Sequence, residues 1–256
     1  MVREYFLALA CGVCALVASA TVRADDGDTS TIGAPDCRIV NPSPRPHEST
    51  AWSGGCRDGY ADGDGVLQWS MNGDPVSRYE GHMSVGRPEG HGTYEHTEKT
   101  HTRYEGNFHN GKRQGQGTFT QSNGTRVTGS WDKGELAGQV EAENPNGYHY
   151  VGGWRDMAPE GQGEVTYDDG AHYVGSFVQG VREGQGTLSH DGITTTSTWH
   201  NNDSQGVTDI VGPGGYHFHG PQVDGEAQGA GELRDKNGNL VGDNYLGRST
   251  TTILAG

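Results

Sequence analysis

The sequence predicts an all-β chain of stacked hairpins. Three observations predict it: glycine is dense, aromatic and glycine positions recur at a fixed spacing, and Asn-Gly or Asp-Gly pairs punctuate the recurrence. There are 44 glycines in 256 residues, about two and a half times the ordinary usage of about 7%. Hydrophobic residues make up only 31%, which argues against one large buried core and places the fold in turns and short strands.

The recurrence is clearest in YEGNFHNGKRQGQGTF, residues 104–119. With Tyr104 as position 0, Gly106, Phe108, Gly111, Gly115, Gly117 and Phe119 stand at +2, +4, +7, +11, +13 and +15. Tyr79, Val127, Tyr150 and Tyr173 begin units of the same form, with Trp131, Trp154 or Phe177 at +4 in the last three. Trp52 begins the first, Thr195 and Phe218 begin two worn ones, and Val241 with Tyr245 begins a partial ninth. Positions 0, +2 and +4 alternate, so they share one face of a strand. Asn110-Gly111, Lys133-Gly134 and Gln179-Gly180 then turn the chain, and GxG with an apolar residue forms the return strand. Asn123-Gly124, Asn146-Gly147, Asp169-Gly170 and Asp191-Gly192 close the units, supplying the positive φ that tight hairpin turns need. A single hairpin is marginal in water, whereas stacked ones share a continuous core. The glycines at +2, +11 and +13 are expected to leave room for aromatic rings of neighbouring strands. The strip comprises Trp52, Tyr79, Tyr104, Phe108, Trp131, Tyr150, Trp154, Tyr173 and Phe177.

This pattern disposes of a tempting alternative. Gly115-Gln116-Gly117 beside Lys112 and Arg113 imitates a phosphate-binding loop. Such a loop requires a helix N-terminus after it, and here another hairpin follows.

The motif YEGxFxxGxxxGxG resembles the MORN repeat (membrane occupation and recognition nexus) from residue 52 to about 245. The resemblance implies an elongated, twisted, single-layer antiparallel β-meander used for scaffolding, dimerisation or partner docking. Lipid binding is often proposed for the family, and some members carry a catalytic domain beside the repeats. No added domain is evident here, and the chain looks exported. Residues 37–69 look like the first unit of bacterial exported members.

The export reading rests on residues 1–24, where Arg3 precedes an apolar run from Tyr5 to Val17 and then small residues. That run is too short for a membrane-spanning helix and fits a signal peptide cleaved after Ala20 or Ala24. A lipoprotein anchored at Cys11 is the alternative. Cleavage leaves Cys37 and Cys56, which suit a disulfide in an oxidising compartment, with two free thiols as the other reading. Residues 25–51, with Pro42, Pro44 and Pro46, read as an extended leader and cap. The repeat ribbon is expected over 52–248, and 249–256 as a tail or edge strand.

Net charge is −15. Loss of Arg3, Arg23 and Glu4 with the leader makes it −16, with 16 basic against 32 acidic residues. Such a chain repels nucleic acid and anionic lipid surfaces. Within it, position −1 carries Arg78, Arg103, Arg126, His149, His172 and His217, a row facing away from the aromatic strip. It reads either as an anion- or partner-binding track or as side chains neutralised by the +10 carboxylates Asp62, Glu89, Glu160 and Glu183. His217 and His219 project to the same side of a strand and would hold a soft divalent metal only with a third ligand; surface histidines are the plainer account. The five histidines of residues 82–109, His82, His91, His96, His101 and His109, lack zinc-site spacing, and no cofactor is expected. Ser130 lies in no nucleophile elbow, and Asp168-Asp169 belongs to a turn. Asn123 and Asn202 open N-glycosylation sequons, relevant in a eukaryote. These readings converge on a non-enzymatic interaction or scaffold protein of the cell envelope or exterior, with protein partners and homodimerisation through terminal strands as the expected contacts. A glycan- or lipid-headgroup-binding module is the alternative.

Overall fold

The computed structural model describes residues 30–97, 101–156 and 158–243. The signal-peptide and tail readings, and the lipoprotein cysteine, lie outside them. These residues comprise 21 strands and one short 3-10 turn, in two units divided between Pro145 and Asn146.

In the first unit, β1 (Thr31–Ala34) and β2 (Cys37–Val40) form a hairpin. Within the segment read as an extended leader and cap, residues 31–34, 37–40 and 48–51 are strand. β2 meets the long β5 (Tyr60–Met71) in a single parallel bridge, Arg38 to Tyr60. β3 (Glu48–Trp52) and β4 (Gly55–Arg57) pair with β5 antiparallel. From there a meander runs through β6 (Asp74–Ser84), β7 (Arg87–His96), β8 (Thr102–His109), β9 (Lys112–Thr120), β10 (Arg126–Asp132) and β11 (Glu135–Glu143). Each strand pairs antiparallel with the next. The Cys37–Cys56 disulfide, with Cα atoms 5.4 Å apart, fastens β2 to β4.

The second unit repeats the meander through β12 (His149–Arg155), β13 (Ala158–Thr166), β14 (His172–Val178), β15 (Val181–His190), β16 (Ile193–His200), β17 (Asp203–Val211) and β18 (His217–Val223). The short β19 (Glu226–Ala227) and β20 (Glu232–Arg234) share β18 as partner, and β21 (Leu240–Gly242) pairs with β20.

The local causes repeat from hairpin to hairpin. Positions +6 and +7 both have positive φ, as in Asn110 (50°) and Gly111 (79°) or Gln179 (49°) and Gly180 (82°). That pair is the signature of a type I′ turn, whose twist matches that of the strands it joins. The +11 glycine, such as Gly115 at φ 68°, also has positive φ. It lies at the place where the register slips by two residues, as between Gly106 and Phe108. It is a bulge glycine, selected for its backbone.

The +2 and +13 glycines have another cause. Gly106 and Gly117 are direct cross-strand partners, and a Cβ on Gly117 would stand 2.6 Å from Cε2 and Cζ of Tyr104. The ring of each unit thus lies across its own hairpin's glycine pair, and the same holds for Tyr79, Tyr150 and Tyr173. This corrects two expectations: the ring comes from the same hairpin, and at +11 no ring lies near. The hydroxyl then donates to the +3 carbonyl, Tyr104 to Asn107 at 3.0 Å and Tyr150 to Gly153 at 2.7 Å.

These rings are the core, joined edge to face. In the first unit Tyr79, Phe108, Tyr104 and Trp131 follow one another at 5.3, 5.1 and 5.2 Å. In the second, Phe177 stands 5.5 Å from Tyr150 and 5.2 Å from Tyr173, and Trp199 stands 5.5 Å from Tyr173. Each such contact adds about 0.5–1.5 kcal/mol beyond area burial. An aliphatic cluster of Ile210, Leu233 and Ala227 around Phe218 ends the second unit.

Candidate interaction surface

Because rings close one face, the opposite face of the strands carries the accessible chemistry. Cross-strand pairs order it: Gln116 donates to Ser130 at 2.7 Å, Gln162 to Ser176 at 2.6 Å and Gln185 to Thr198 at 2.6 Å. One same-face position nearer the turn that joins the two strands, Thr118 meets Thr128 and Thr187 meets Thr196, each at 2.9 Å. Such pairs hold side chains in one geometry along the sheet.

The −1 row lies on this face, and five of its side chains meet a carboxylate. Arg78 pairs with Glu80 at 2.6 Å, and Arg103 with Glu105 at 2.6 Å and Glu95 at 3.4 Å. Arg126 reaches Glu143 at 3.5 Å, His172 reaches Glu164 at 2.8 Å and His217 reaches Asp209 at 3.2 Å. His149 opens β12 in the same column. The partners sit at +1, +14 and +16, not at +10.

The +10 side chains do something the sequence reading missed: they clamp one hairpin to the next. Glu89 accepts the backbone N–H of Asn110 at 2.9 Å and pairs with His109 at 3.0 Å. Glu183 accepts from Asn201 at 3.0 Å and pairs with His200 at 2.9 Å. Glu160 accepts from Gln179 at 3.1 Å, and Gln114 from Lys133 at 3.1 Å. Asp62 instead meets Arg57 of its own hairpin at 3.4 Å. The turn's next N–H reaches the preceding hairpin's +9 carbonyl, Gly111 to Pro88 and Gly134 to Arg113, both at 2.9 Å. The backbone bonds from Asn110 and Asn201 are the main reason the Glu89 and Glu183 carboxyls sit below the usual range. Glu183 in turn raises His200.

Arg113, beside the false phosphate loop, lies on the ring face. Its guanidinium stacks 4.1 Å from the Trp131 ring centre and donates to Gly134 O at 3.0 Å. Arg182 repeats this over Trp199 at 4.5 Å, donating to Asn202 O at 2.7 Å. Burial lowers both guanidinium pKa values. An Arg at +9 followed by Trp at +4 of the next unit is the sequence signal for this pair.

Of the aromatic strip, Tyr79, Tyr104, Phe108, Trp131, Tyr150, Trp154, Tyr173 and Phe177 are buried, and Trp52 is half-buried. Burial pushes the Tyr79 and Tyr173 hydroxyls up to about 12. The strip is structural and offers no open aromatic platform. Among the sequon residues, Asn123 is exposed and its side chain accepts the Thr125 N–H at 2.9 Å, whereas the Asn202 carbonyl is engaged by Arg182. No helix among the described residues is long and apolar enough to cross a membrane.

Residues 79–97, 104–126, 150–172 and 173–193 match the MORN repeat, and the chain is a MORN-repeat protein. A comparison with curated protein sequences found no match. Among solved structures, it is similar to a mutant of the TCP10 domain of Danio rerio CPAP, at 13% identity and a TM-score of 0.40, covering 78% of this chain and 96% of that one. It also aligns with BamB from Moraxella catarrhalis at 8% identity and a TM-score of 0.16, covering 88% and 90%. Scores at this level support no inference about function.

Proposed function

We propose that this chain is a non-enzymatic interaction or scaffold protein of the cell envelope or exterior. The observation that carries the reading is the exposed face: polar side chains fixed in cross-strand pairs recur from hairpin to hairpin, Gln116–Ser130, Gln162–Ser176 and Gln185–Thr198. A preordered, repeating surface lowers the entropic cost of holding an extended partner. The Cys37–Cys56 bond and the leader-like first residues support an oxidising compartment.

Pull-down from envelope extract with the mature chain tests this, alongside size exclusion with light scattering to register self-association. Wild-type protein is expected to retain a protein partner or a second copy. The triple variant Gln116→Arg, Gln162→Arg, Gln185→Arg should lose it while keeping its β-sheet circular dichroism. Retention on polysaccharide or anionic vesicles instead, undiminished by the triple variant, overturns the reading. That outcome would favour the glycan or headgroup alternative, which the paired state of Arg78 and Arg103 does not favour.

A further inference from the structure

Asn-Gly is the dipeptide in which asparagine most readily loses its amide, because no side chain shields the glycine nitrogen from the asparagine Cγ. The pairs here are Asn72-Gly73, Asn110-Gly111, Asn123-Gly124, Asn146-Gly147 and Asn237-Gly238. Every one of these asparagines is exposed, so exposure does not distinguish them. What distinguishes them is the hold on the glycine nitrogen. Gly111 N donates to Pro88 O at 2.9 Å, Gly124 N to Gln121 O at 3.0 Å and Gly238 N to Asp235 O at 2.9 Å. Their asparagines are held as well. Asn110 N donates to the Glu89 carboxylate at 2.9 Å, Asn123 Oδ1 accepts from Thr125 N at 2.9 Å, and Asn237 N donates to Asp235 Oδ1 at 2.8 Å. Asn146-Gly147 stands where the two units divide. Asn72-Gly73 forms the two-residue turn between β5 and β6, with φ of 52° and 91°. There Asn72 N donates to His47 O at 3.0 Å. Among the described residues, neither the Gly73 N–H nor the Asn72 side-chain amide meets a hydrogen-bond partner. A side-chain carbon placed on Gly73 would meet nothing within 4 Å.

We propose that Asn72 is a site of spontaneous deamidation to aspartate and isoaspartate, set apart from Asn110, Asn123 and Asn237 by its free glycine nitrogen. Gly73 N gives up its proton and bonds to Asn72 Cγ. The Cγ–Nδ2 bond breaks, and Nδ2 leaves as ammonia with that proton, which closes a succinimide. Water then opens the ring. Cleavage of the bond from N to Cγ gives aspartate. Cleavage of the bond from N to the Asn72 main-chain carbonyl carbon gives isoaspartate, whose main chain runs through the former side chain. Nothing is oxidised or reduced. Ring closure needs a glycine nitrogen free to turn toward Cγ. At Gly111, Gly124 and Gly238 that motion first breaks a backbone hydrogen bond, which reduces the competent population about five-fold. At Gly73 no such bond stands in the way. Either product sets a new carboxylate beside Asp74. Isoaspartate also lengthens the turn by one backbone atom, which spoils the twist match that lets Met71 face Asp74.

The test is peptide mapping by mass spectrometry of the full chain aged in mildly alkaline buffer, once native and once in denaturing guanidinium chloride. The denatured rate at each asparagine supplies its intrinsic reactivity, so the readout is the native rate divided by the denatured one. That ratio should be at least about five-fold higher at Asn72 than at Asn110, Asn123 or Asn237, with isoaspartate and aspartate both found at position 72. Glu89→Ala, which releases the Asn110 N–H, should raise the ratio at Asn110 and leave that at Asn72 unchanged. Equal ratios at the four sites, or any of the other three ahead of Asn72, overturn the proposal. So does an unchanged Asn110 ratio in Glu89→Ala, because protection would then not come from the held turn. Circular dichroism of the native samples separates a loosened turn from a lost fold.

Discussion

Two glycines two residues apart in one strand should fail for different reasons, and the difference can be measured. Gly115→Ala places a Cβ 3.6 Å from the nearest atom, Asn107 Nδ2, in ordinary contact. Its cost is conformational, because φ is 68°; holding an L-residue there costs about 1–2 kcal/mol. Gly117→Ala has no such dihedral, but its Cβ falls 2.6 Å from Tyr104 Cε2 and Cζ. Tyr104 is buried, its hydroxyl is bound to Asn107 O, and its ring abuts Phe108 and Trp131. It has no free direction to move, and displacing it forfeits ring packing worth about 3 kcal/mol or more. Urea unfolding should therefore show Gly117→Ala costing at least about 1 kcal/mol more than Gly115→Ala. Tyr104→Leu removes the obstructing atoms. Combined with Gly117→Ala it should cost less than the two single changes together by more than about 1 kcal/mol, and combined with Gly115→Ala it should be additive. Equal costs for the two alanines, or additivity of Tyr104→Leu with Gly117→Ala, would refute the assignment of one glycine to backbone and the other to ring.

Val85 is a β-branched residue at φ 47° in an exposed turn, a place where Asn110 and Asn201 stand in other hairpins. Val85→Asn should raise stability by about 1 kcal/mol, read as a higher urea midpoint at unchanged slope; a lower midpoint would contradict the strain. Replacing Cys37 and Cys56 by Ser opens a loop whose ends are 19 residues apart, which by loop-closure entropy costs about 3 kcal/mol. Limited proteolysis should then cut within residues 30–60 first. The Glu183–His200 clamp has a defined pH window. Glu183 is lowered from its ordinary 4.5, so its contribution is present above that value and lost as pH falls. His200 is raised from 6.5, so its contribution is present below that value and lost as pH rises through the folded-state pKa. The stability difference between wild type and His200→Gln should be largest between pH 4.5 and 6.5 and shrink above it. A difference that grows with pH would contradict the pairing.

How much of this was legible beforehand depends on whether a residue acts through its own strand or across a bulge. The hairpin period, the +6/+7 turns and the buried strip follow from identity and spacing, because alternation in a strand is a fixed geometry. The assignment of Glu89 or Glu183 to the −1 row failed on a countable point. A two-residue turn at +6/+7 sets +5 opposite +8 and carries −1 to a partner at +16, as Arg78 to Glu95 and Arg103 to Thr120. Position +10 lies near the turn end of the hairpin, −1 at the far end, so no side chain spans the gap. What counting from the turn does not supply is the clamp itself, because Glu89 acts on Asn110 and His109 of the following hairpin. That contact depends on how the bulge at Gly90 swings the strand, and a bulge is written in φ rather than in residue type alone. His217 and His219 also both meet Asp209, and that convergence has the same character. The two histidines were visible as same-face neighbours, whereas their acceptor lies eight residues before His217 and comes opposite only once β17 and β18 are in register.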